Sequence, residues 1–229
     1  MREIVLDTET TGLDPADGHR IVEIGCVELF NHTPTGSTFH RYLNPERLVP
    51  VESQRVHGLT DEFLADKPLF TAIADELDAF LGDAPLVIHN AVFDIKFLNA
   101  EYLRVMRPPI PLARAIDTIE IAKAKIPGAR YSLDELCKRF GIDLSARSKH
   151  GALLDAELTA RVYLELVGGR QARLKLAPRD DVVENAANLV IAARARPHAL
   201  PGRLTAEEEA AHAQFVAREL GSDAVWNRV

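Results

Sequence analysis

The sequence is poor in cysteine and contains no long apolar run, and both shortages exclude classes of protein. Only two cysteines occur among 229 residues. Cys26 and Cys137 lie in apolar-periodic segments and follow no metal-ligand spacing, so we expect reduced core thiols and neither a disulfide nor a zinc site. No apolar stretch approaches the ~20 residues that a membrane span needs. Because the first residues run directly into Asp7 and Glu9, we also expect no signal peptide, and hence a cytoplasmic protein.

Basic residues are also scarce relative to acidic ones. The chain has 27 lysines and arginines against 34 aspartates and glutamates, a formal net charge of −7. This balance argues against a protein that holds nucleic acid through a broad basic surface. An acidic protein still meets phosphates where its carboxylates hold cations that face them. Such a protein binds nucleic acid weakly unless another contact holds it in place.

The order of local patterns predicts an α/β fold with a mixed central sheet flanked by helices. Runs rich in β-branched residues predict strands at Arg2–Leu6, Ile21–Phe30 and Ser37–Leu43, joined by short turns as an antiparallel meander. The later elements are one strand and five helices, and the helices are indicated by helical spacing of apolar residues and by glycines that end most of them. These elements are a short buried strand at Leu86–His89 and helices at Phe70–Leu81, Phe93–Leu103, Thr118–Lys125, Ser132–Phe140 and Gly151–Val167.

Gly168 and Gly169 end the last of these helices and predict a domain boundary. We therefore divide the chain into a first domain of residues 1–169, a basic linker of residues 170–179 and a C-terminal helical tail of residues 180–229. The tail is Ala-rich over 180–196, and Thr205 and Glu208 form a capping box for a last helix that ends near 221. It has too few large apolar residues for a core of its own. We expect it to become ordered on a partner.

Four acids and one histidine form the candidate reactive group. Asp7 and Glu9 alternate on one strand, which places both carboxylates on the same face of the sheet. Asp94 lies where a buried strand passes into a helix, and His150 and Asp155 flank the start of another helix. Each acid alone is more often a solvated strand end or helix start. Together they suit two hard divalent cations bound through oxygen, with a histidine to accept a proton from water.

Six motifs in chain order carry a resemblance to a known family. They are Ile4–Gly12 (IVLDTETTG), Arg20–Gly25 (RIVEIG), Val56–Thr60 (VHGLT), His89–Asp94 (HNAVFD), Tyr131–Cys137 (YSLDELC) and His150–Asp155 (HGALLD). The chain resembles the DEDD exonucleases of the ribonuclease H-like fold. Because Gly151 stands four residues before Asp155, it resembles the histidine branch and not the tyrosine branch. Within that branch it is similar to the proofreading subunits of bacterial replicative DNA polymerases.

The resemblance implies a 3′→5′ exonuclease that acts on DNA 3′ ends with two divalent cations, Mg²⁺ or Mn²⁺, and releases 5′-mononucleotides. By motif position, Asp7, Glu9 and Asp155 would hold the catalytic ion, and Asp7 would bridge to the second. Asp94 would support the second ion through water, and His150 would be the general base. Positions that align with those gripping the terminal nucleotide are Asp7, Glu9, Thr10, Glu52, Val56, His57, Asn90, Phe93 and Asp155.

Two of these assignments have a plain structural alternative. His57 precedes Gly58 and is also compatible with a surface turn, although the motif favours a nucleotide contact. Phe93 is also compatible with a place in the core, although its position directly before Asp94 favours a wedge against the terminal base.

The tail and linker suggest two protein partners. The resemblance and the anchors Phe215, Leu220 and Trp226 predict that residues 180–229 dock on the catalytic subunit of the replicative polymerase. The segment from Gln171 to Leu176 (QARLKL) resembles a sliding-clamp peptide in which Gln171, Leu174 and Leu176 make the contacts. A plain linker explains that short pattern equally well.

Two other functions share this pattern of residues. A tRNA-trimming or oligoribonucleotide-degrading exonuclease would use the same chemistry but lack a polymerase-directed tail. A catalytically silent binding module on the same scaffold would have lost one of the acids. All four acids and the histidine are present.

Overall fold

The computed structural model describes residues 1–145, 147, 149–168 and 205–220. They fall into two compact units, which are described separately. No helix among these residues is long and apolar enough to cross a membrane. The strands are β1 Arg2–Thr10, β2 Ile21–Phe30, β3 Thr33–Tyr42, β4 Leu86–Ile88 and β5 Ala115–Asp117. The helices are α1 Val51–His57, α2 Asp61–Leu64, α3 Phe70–Leu81, α4 Ala91–Arg104, α5 Thr118–Lys125, α6 Leu133–Phe140, α7 Ala152–Val167 and α8 Ala206–Phe215.

The first unit is built on a five-stranded mixed sheet in the order β3-β2-β1-β4-β5. Strands β1, β2 and β3 pair antiparallel, which confirms the predicted meander. Strands β4 and β5 extend the sheet in parallel to β1. The mixed sheet with flanking helices confirms the predicted fold class.

Several boundaries differ from the sequence prediction. Strand β1 does not end at Leu6 but continues to Thr10, because β2 pairs with it along that whole length. Helix α4 begins at Ala91, two residues earlier than predicted. Strand β5 and helices α1 and α2 were not predicted. All three are short, and α1 buries only His57, so its sequence carries no apolar periodicity.

Helices cover both faces of the sheet. On one face, α3 and α4 pack on Ile4 and Leu6 of β1. On the other face, α7 packs on Val5 through small residues such as Ala156. A second buried side of α7 contacts α5 and α6. Both cysteines are buried and free, as expected for core thiols.

Gly25 of β2 determines how closely α7 approaches the sheet. A Cβ atom built at Gly25 would lie 2.2 Å from the backbone nitrogen of Leu153 and 2.3 Å from the carbonyl carbon of Ala152. Any side chain at this position would therefore collide with the first turn of α7. Gly25 is also the register partner of Asp7. The contact thus brings the start of α7 against the strand position that carries the first acid.

The second unit is described over residues 205–220. Thr205 and Glu208 form the predicted capping box, in which each side chain bonds the backbone N–H of the other residue. Helix α8 buries none of its residues, and Phe215 is exposed. The predicted helix at 180–196, the linker, the candidate clamp contacts at Gln171, Leu174 and Leu176, and Trp226 lie outside the described residues.

Candidate active site

Strand β1 presents Asp7 and Glu9 toward the start of α7. Glu9 is buried, and this burial raises its pKa from about 4.5 to about 8, with further contributions from Asp155 and from Glu23. Glu23 is the register partner of Glu9 on β2. Burial also raises the pKa of Asp7 well above its usual range, and the charges of Asp94 and Glu9 add to the effect. The carboxyls crowded here therefore resist ionising together, because too little positive charge lies nearby to balance them.

Asp155 lies in the first turn of α7 and is buried. Arg147 grips it with two hydrogen bonds, Nε to Oδ1 at 2.6 Å and Nη2 to Oδ2 at 2.7 Å. The His150 Nδ1 atom lies 3.2 Å from Oδ2. Burial alone would raise the pKa of Asp155, but the hydrogen bonds from Arg147 and His150 outweigh it and lower that pKa. Among the acids of this group, Asp155 is the one that a positively charged side chain, Arg147, contacts directly.

Asp94 lies in the first turn of α4 and is held by β1. Its Oδ1 atom accepts hydrogen bonds from the backbone N–H of Thr8 at 2.9 Å and from the Thr8 hydroxyl at 2.7 Å. Burial raises the pKa of Asp94 above its usual range, although the bonds from Thr8 oppose the rise. Thr8 points to the face opposite Asp7 and Glu9, so one strand segment organises acids on both of its sides.

The start of α4 is fixed by Asp117 of β5. Its carboxylate accepts hydrogen bonds from the backbone N–H groups of Asn90 and Ala91 at 3.2 and 3.0 Å. Asn90 itself adopts left-handed backbone angles, φ 69° and ψ 57°, which asparagine tolerates better than most residues. This arrangement sets the direction in which α4 leaves the sheet, and with it the position of Asp94.

Oxygen and imidazole groups come close enough at this end of the sheet to share a cation. Ligand atoms of Glu9, His150 and Asp155 lie within 4.8 Å of one another. Asp7 and Asp94 belong to the same electrostatic cluster through their mutual repulsion. Carboxylate-rich sites of this kind suit hard divalent cations. The raised pKa values of Asp7, Glu9 and Asp94 are what such a cluster shows before a cation compensates it.

A cavity of about 610 Å³ opens beside Glu9. Six residues predicted to grip the terminal nucleotide line it: Glu9, Thr10, Glu52, Val56, His57 and Phe93. His57 is buried, not on a surface turn, and its Nδ1 atom accepts a hydrogen bond from the Leu59 N–H at 3.0 Å. That bond leaves the proton on Nε2, and burial lowers the pKa of His57, so the ring is a neutral donor. Phe93 is half-buried, and the centre of its ring lies 5.0 Å from the centre of the Phe97 ring.

A second cavity of about 440 Å³ opens beside Asp7 and Asp155. Its lining includes His150 and three of the predicted nucleotide contacts, Asp7, Asn90 and Asp155, whereas the other six line the cavity beside Glu9. Arg147 and Asp134 line the same cavity. The carboxylate cluster is thus reached from two sides.

Several functional residues escaped the sequence analysis. Gly25, Thr8 and Asp117 position the acids without being acids of the cluster, and Arg147 contacts Asp155 directly. Only Gly25 carried a readable signal, since a glycine inside a run of β-branched residues marks a close backbone approach.

Comparisons with known proteins agree with this geometry. The family model described as "Exonuclease" matches residues 4–163. The DNA polymerase III subunit epsilon of Rickettsia conorii is 50% identical over 223 residues, covering 96% of this chain and 97% of that protein. The protein of the same name from Escherichia coli K12 is 49% identical over 177 residues, covering 74% and 72%.

Solved structures show the same fold. Exonuclease X in complex with 5′-overhanging duplex DNA aligns with a TM-score of 0.56 at 27% identity, covering 72% of this chain and 90% of that one. The nuclease domain of 3′hExo, described as a DEDDh family member bound to rAMP, aligns with a TM-score of 0.63 at 22% identity, covering 72% and 91%. With the family model and the sequence relatives, these likenesses establish that the chain belongs to the exonuclease family and, within it, to the DNA polymerase III epsilon subunits.

Proposed function

We propose that this chain is the proofreading exonuclease of a bacterial replicative DNA polymerase and acts in the cytoplasm. It removes mispaired nucleotides from DNA 3′ ends and releases 5′-mononucleotides. The observation that carries the proposal is the complete group of four acids and one histidine at one end of the sheet, between two cavities. A silent binding module would not maintain three neighbouring carboxyls with raised pKa values, since each costs stability.

The side chains divide the work of phosphodiester hydrolysis. Two Mg²⁺ or Mn²⁺ ions would supply an activated water and charge stabilisation at the leaving 3′-oxygen. Asp7, Glu9 and Asp155 would hold the catalytic ion, and Asp94, fixed by Thr8, would support the second. His150, whose ring nitrogen lies within 4.8 Å of carboxylate oxygens of Glu9 and Asp155, would take a proton from the attacking water.

The cavity beside Glu9 would receive the terminal nucleotide. Its lining combines apolar surface from Val56 and Phe93 with polar groups from Glu52 and His57. This mixture suits a base that stacks on one side and a sugar that hydrogen-bonds on the other. An end that is already unpaired reaches the cavity at a lower cost in unstacking than a paired end. Mispaired ends should therefore be degraded faster.

A comparison of substrates tests the activity. Three labelled primers should be incubated with and without Mg²⁺: a 3′-mispaired DNA, a matched DNA and a matched RNA of the same sequence. We expect metal-dependent release of 5′-mononucleotides in the order mispaired DNA, matched DNA, RNA. The control is Asp7→Asn, which should be inactive on all three. Preference for the RNA would favour the RNA-trimming alternative, and cleavage of a closed circular single strand would identify an endonuclease.

The C-terminal region would hold the enzyme at the replication fork. Residues 1–169 contain every acid of the cluster, so residues 180–229 are free for docking on the polymerase subunit, with 170–179 as a linker. In support, the likeness to the Rickettsia conorii protein spans 96% of this chain. Helix α8 has a complete capping box, and none of its ten residues is buried. A chain of net charge −7 gains little affinity from DNA phosphates, and tethering would compensate by raising the local concentration of primer ends.

The linker would also contact the sliding clamp. An extended segment from Gln171 to Leu176 would place Leu174 and Leu176 in an apolar pocket, with Gln171 fixing the register.

A further inference from the structure

One basic side chain lies inside the acidic cluster. Arg147 is almost fully buried, with 8% of its side chain exposed. Beside its two bonds to Asp155, its Nη2 atom lies 2.9 Å from Nδ1 of His150. Its Nη1 atom donates to Oδ1 of Asp134. A guanidinium keeps its charge at every physiological pH. Arg147 is therefore a permanent cation among the acids that would hold the metal ions.

Arg147 occupies a carboxylate that a metal ion at this site would also contact. Both oxygens of Asp155 accept hydrogen bonds from the guanidinium, at 2.6 and 2.7 Å. A divalent ion bound to either oxygen would stand about 2.0–2.6 Å from it. Two positive groups would then lie within a few ångströms of each other in a buried place, where like charges repel strongly. A bound ion would therefore weaken the grip of Arg147 on Asp155.

Asp134 offers the released arginine another carboxylate. It lies in the first turn of α6 and lines the same cavity as Arg147 and Asp155. Its side chain is 48% exposed, whereas Asp155 is buried. It carries none of the ligand atoms of the close group formed by Glu9, His150 and Asp155. The guanidinium thus already touches a carboxylate outside that group.

We propose that Arg147 is a built-in counter-ion that competes with the catalytic cation for Asp155, and that Asp134 retains the displaced guanidinium. Arg147 stabilises the metal-free site and weakens metal binding, and Asp134 eases the exchange. This inference rests on the metal-dependent activity proposed above. The opposite role, in which Arg147 orients Asp155 for the ion, predicts the opposite change in affinity.

Calorimetric titration of the full chain with Mn²⁺ tests the competition. Arg147→Gln should bind the first Mn²⁺ about tenfold more tightly than wild type, since a hydrogen bond to a charged group contributes about one such factor or more. In chelator the same variant should melt at a lower temperature. Arg107→Gln is the matched control, because Arg107 also bridges two carboxylates, Asp75 and Asp78, away from the cluster. It should lose stability without any change in the dissociation constant.

A second variant keeps the test decisive if Arg147→Gln does not fold. Asp134→Asn leaves the grip on Asp155 intact but removes the alternative carboxylate, so Mn²⁺ should bind more weakly. In the double variant with Arg147→Gln that weakening should vanish. Unchanged or weaker Mn²⁺ binding by folded Arg147→Gln, or unchanged binding by Asp134→Asn, would overturn the competition while leaving the exonuclease assignment in place. Absence of Mn²⁺ binding by wild type would overturn both.

Discussion

Replacing Glu9 by glutamine should stabilise the metal-free protein while abolishing its activity. The pKa of Glu9 is raised from about 4.5 to about 8 in the folded chain, first by burial and then by Asp155 and Glu23. A carboxyl whose folded pKa is raised costs stability as pH rises through the interval between the two values. Wild type in chelator should therefore lose stability from about pH 4.5 to about pH 8. Glutamine has the same shape and no proton to lose.

The expected gain in stability of Glu9→Gln over wild type follows from the raised pKa of Glu9. At about 1.4 kcal/mol per pKa unit, the raised pKa of Glu9 sets an upper limit of about 5 kcal/mol on the gain in unfolding free energy above pH 8. Neighbouring carboxyls share the cluster's protons, so we expect a gain of about 2 kcal/mol, or roughly 4–8 °C in melting temperature for a chain of this size. The gain should be near zero at pH 4.5 and largest at pH 8.5. Saturating Mn²⁺ should reverse it, because the ion stabilises wild type by mass action.

Thermal melts in chelator at pH 4.5, 6.5 and 8.5 measure this difference. The control is Asp14→Asn, since a hydrogen bond from Lys96 lowers the pKa of Asp14. That replacement removes a stabilising charge and should give no gain at pH 8.5. A Glu9→Gln variant that is no more stable than wild type at pH 8.5, or whose gain does not grow with pH, would refute the claim that this carboxyl is held under repulsion.

Three further predictions concern catalysis and docking. His150→Ala should lose about 10²–10⁴-fold in rate and the acidic limb of its pH–rate profile while still binding Mn²⁺ in calorimetry; an unchanged rate and profile would exclude it as the base. A chain ending at Gly169 should degrade short primers at the full-length rate yet fail to co-elute with the polymerase catalytic subunit. Undiminished co-elution would place that interface on residues 1–169. A labelled peptide of residues 168–179 should bind the sliding clamp in fluorescence anisotropy, and binding that survives Gln171→Ala with Leu174→Ala would rule out the proposed contact.

The sequence predicted the parts of the fold that depend on local patterns. The meander followed from three β-branched runs with short turns, and its pairing is confirmed. The acidic cluster followed from motif order together with the alternation of side chains along a strand, which correctly gave Asp7 and Glu9 a common face. Helix α1 was missed because a short and mostly exposed helix has no apolar stripe to recognise.

The contacts that tune the site were beyond local reasoning. Asp94 bonds to Thr8, a partner 86 residues away in the chain. Asp117 fixes the start of α4 from a strand of three residues. Arg147 reaches Asp155 from the loop before α7, where no periodicity constrains the chain. Each depends on where distant segments meet, and a single sequence does not record that.

The bare backbone at Gly25 has a genetic consequence. A methyl group there would push the first turn of α7 outward, and the ligands on β1 and α7 would separate although every reactive side chain remained. A selection for strains with raised mutation rates should therefore recover changes at this glycine alongside changes at the acids themselves. Excess Mg²⁺ should not restore the activity of such a variant. A higher ion concentration compensates for weaker binding, but it does not bring ligands on β1 and α7 back to the distance that catalysis needs.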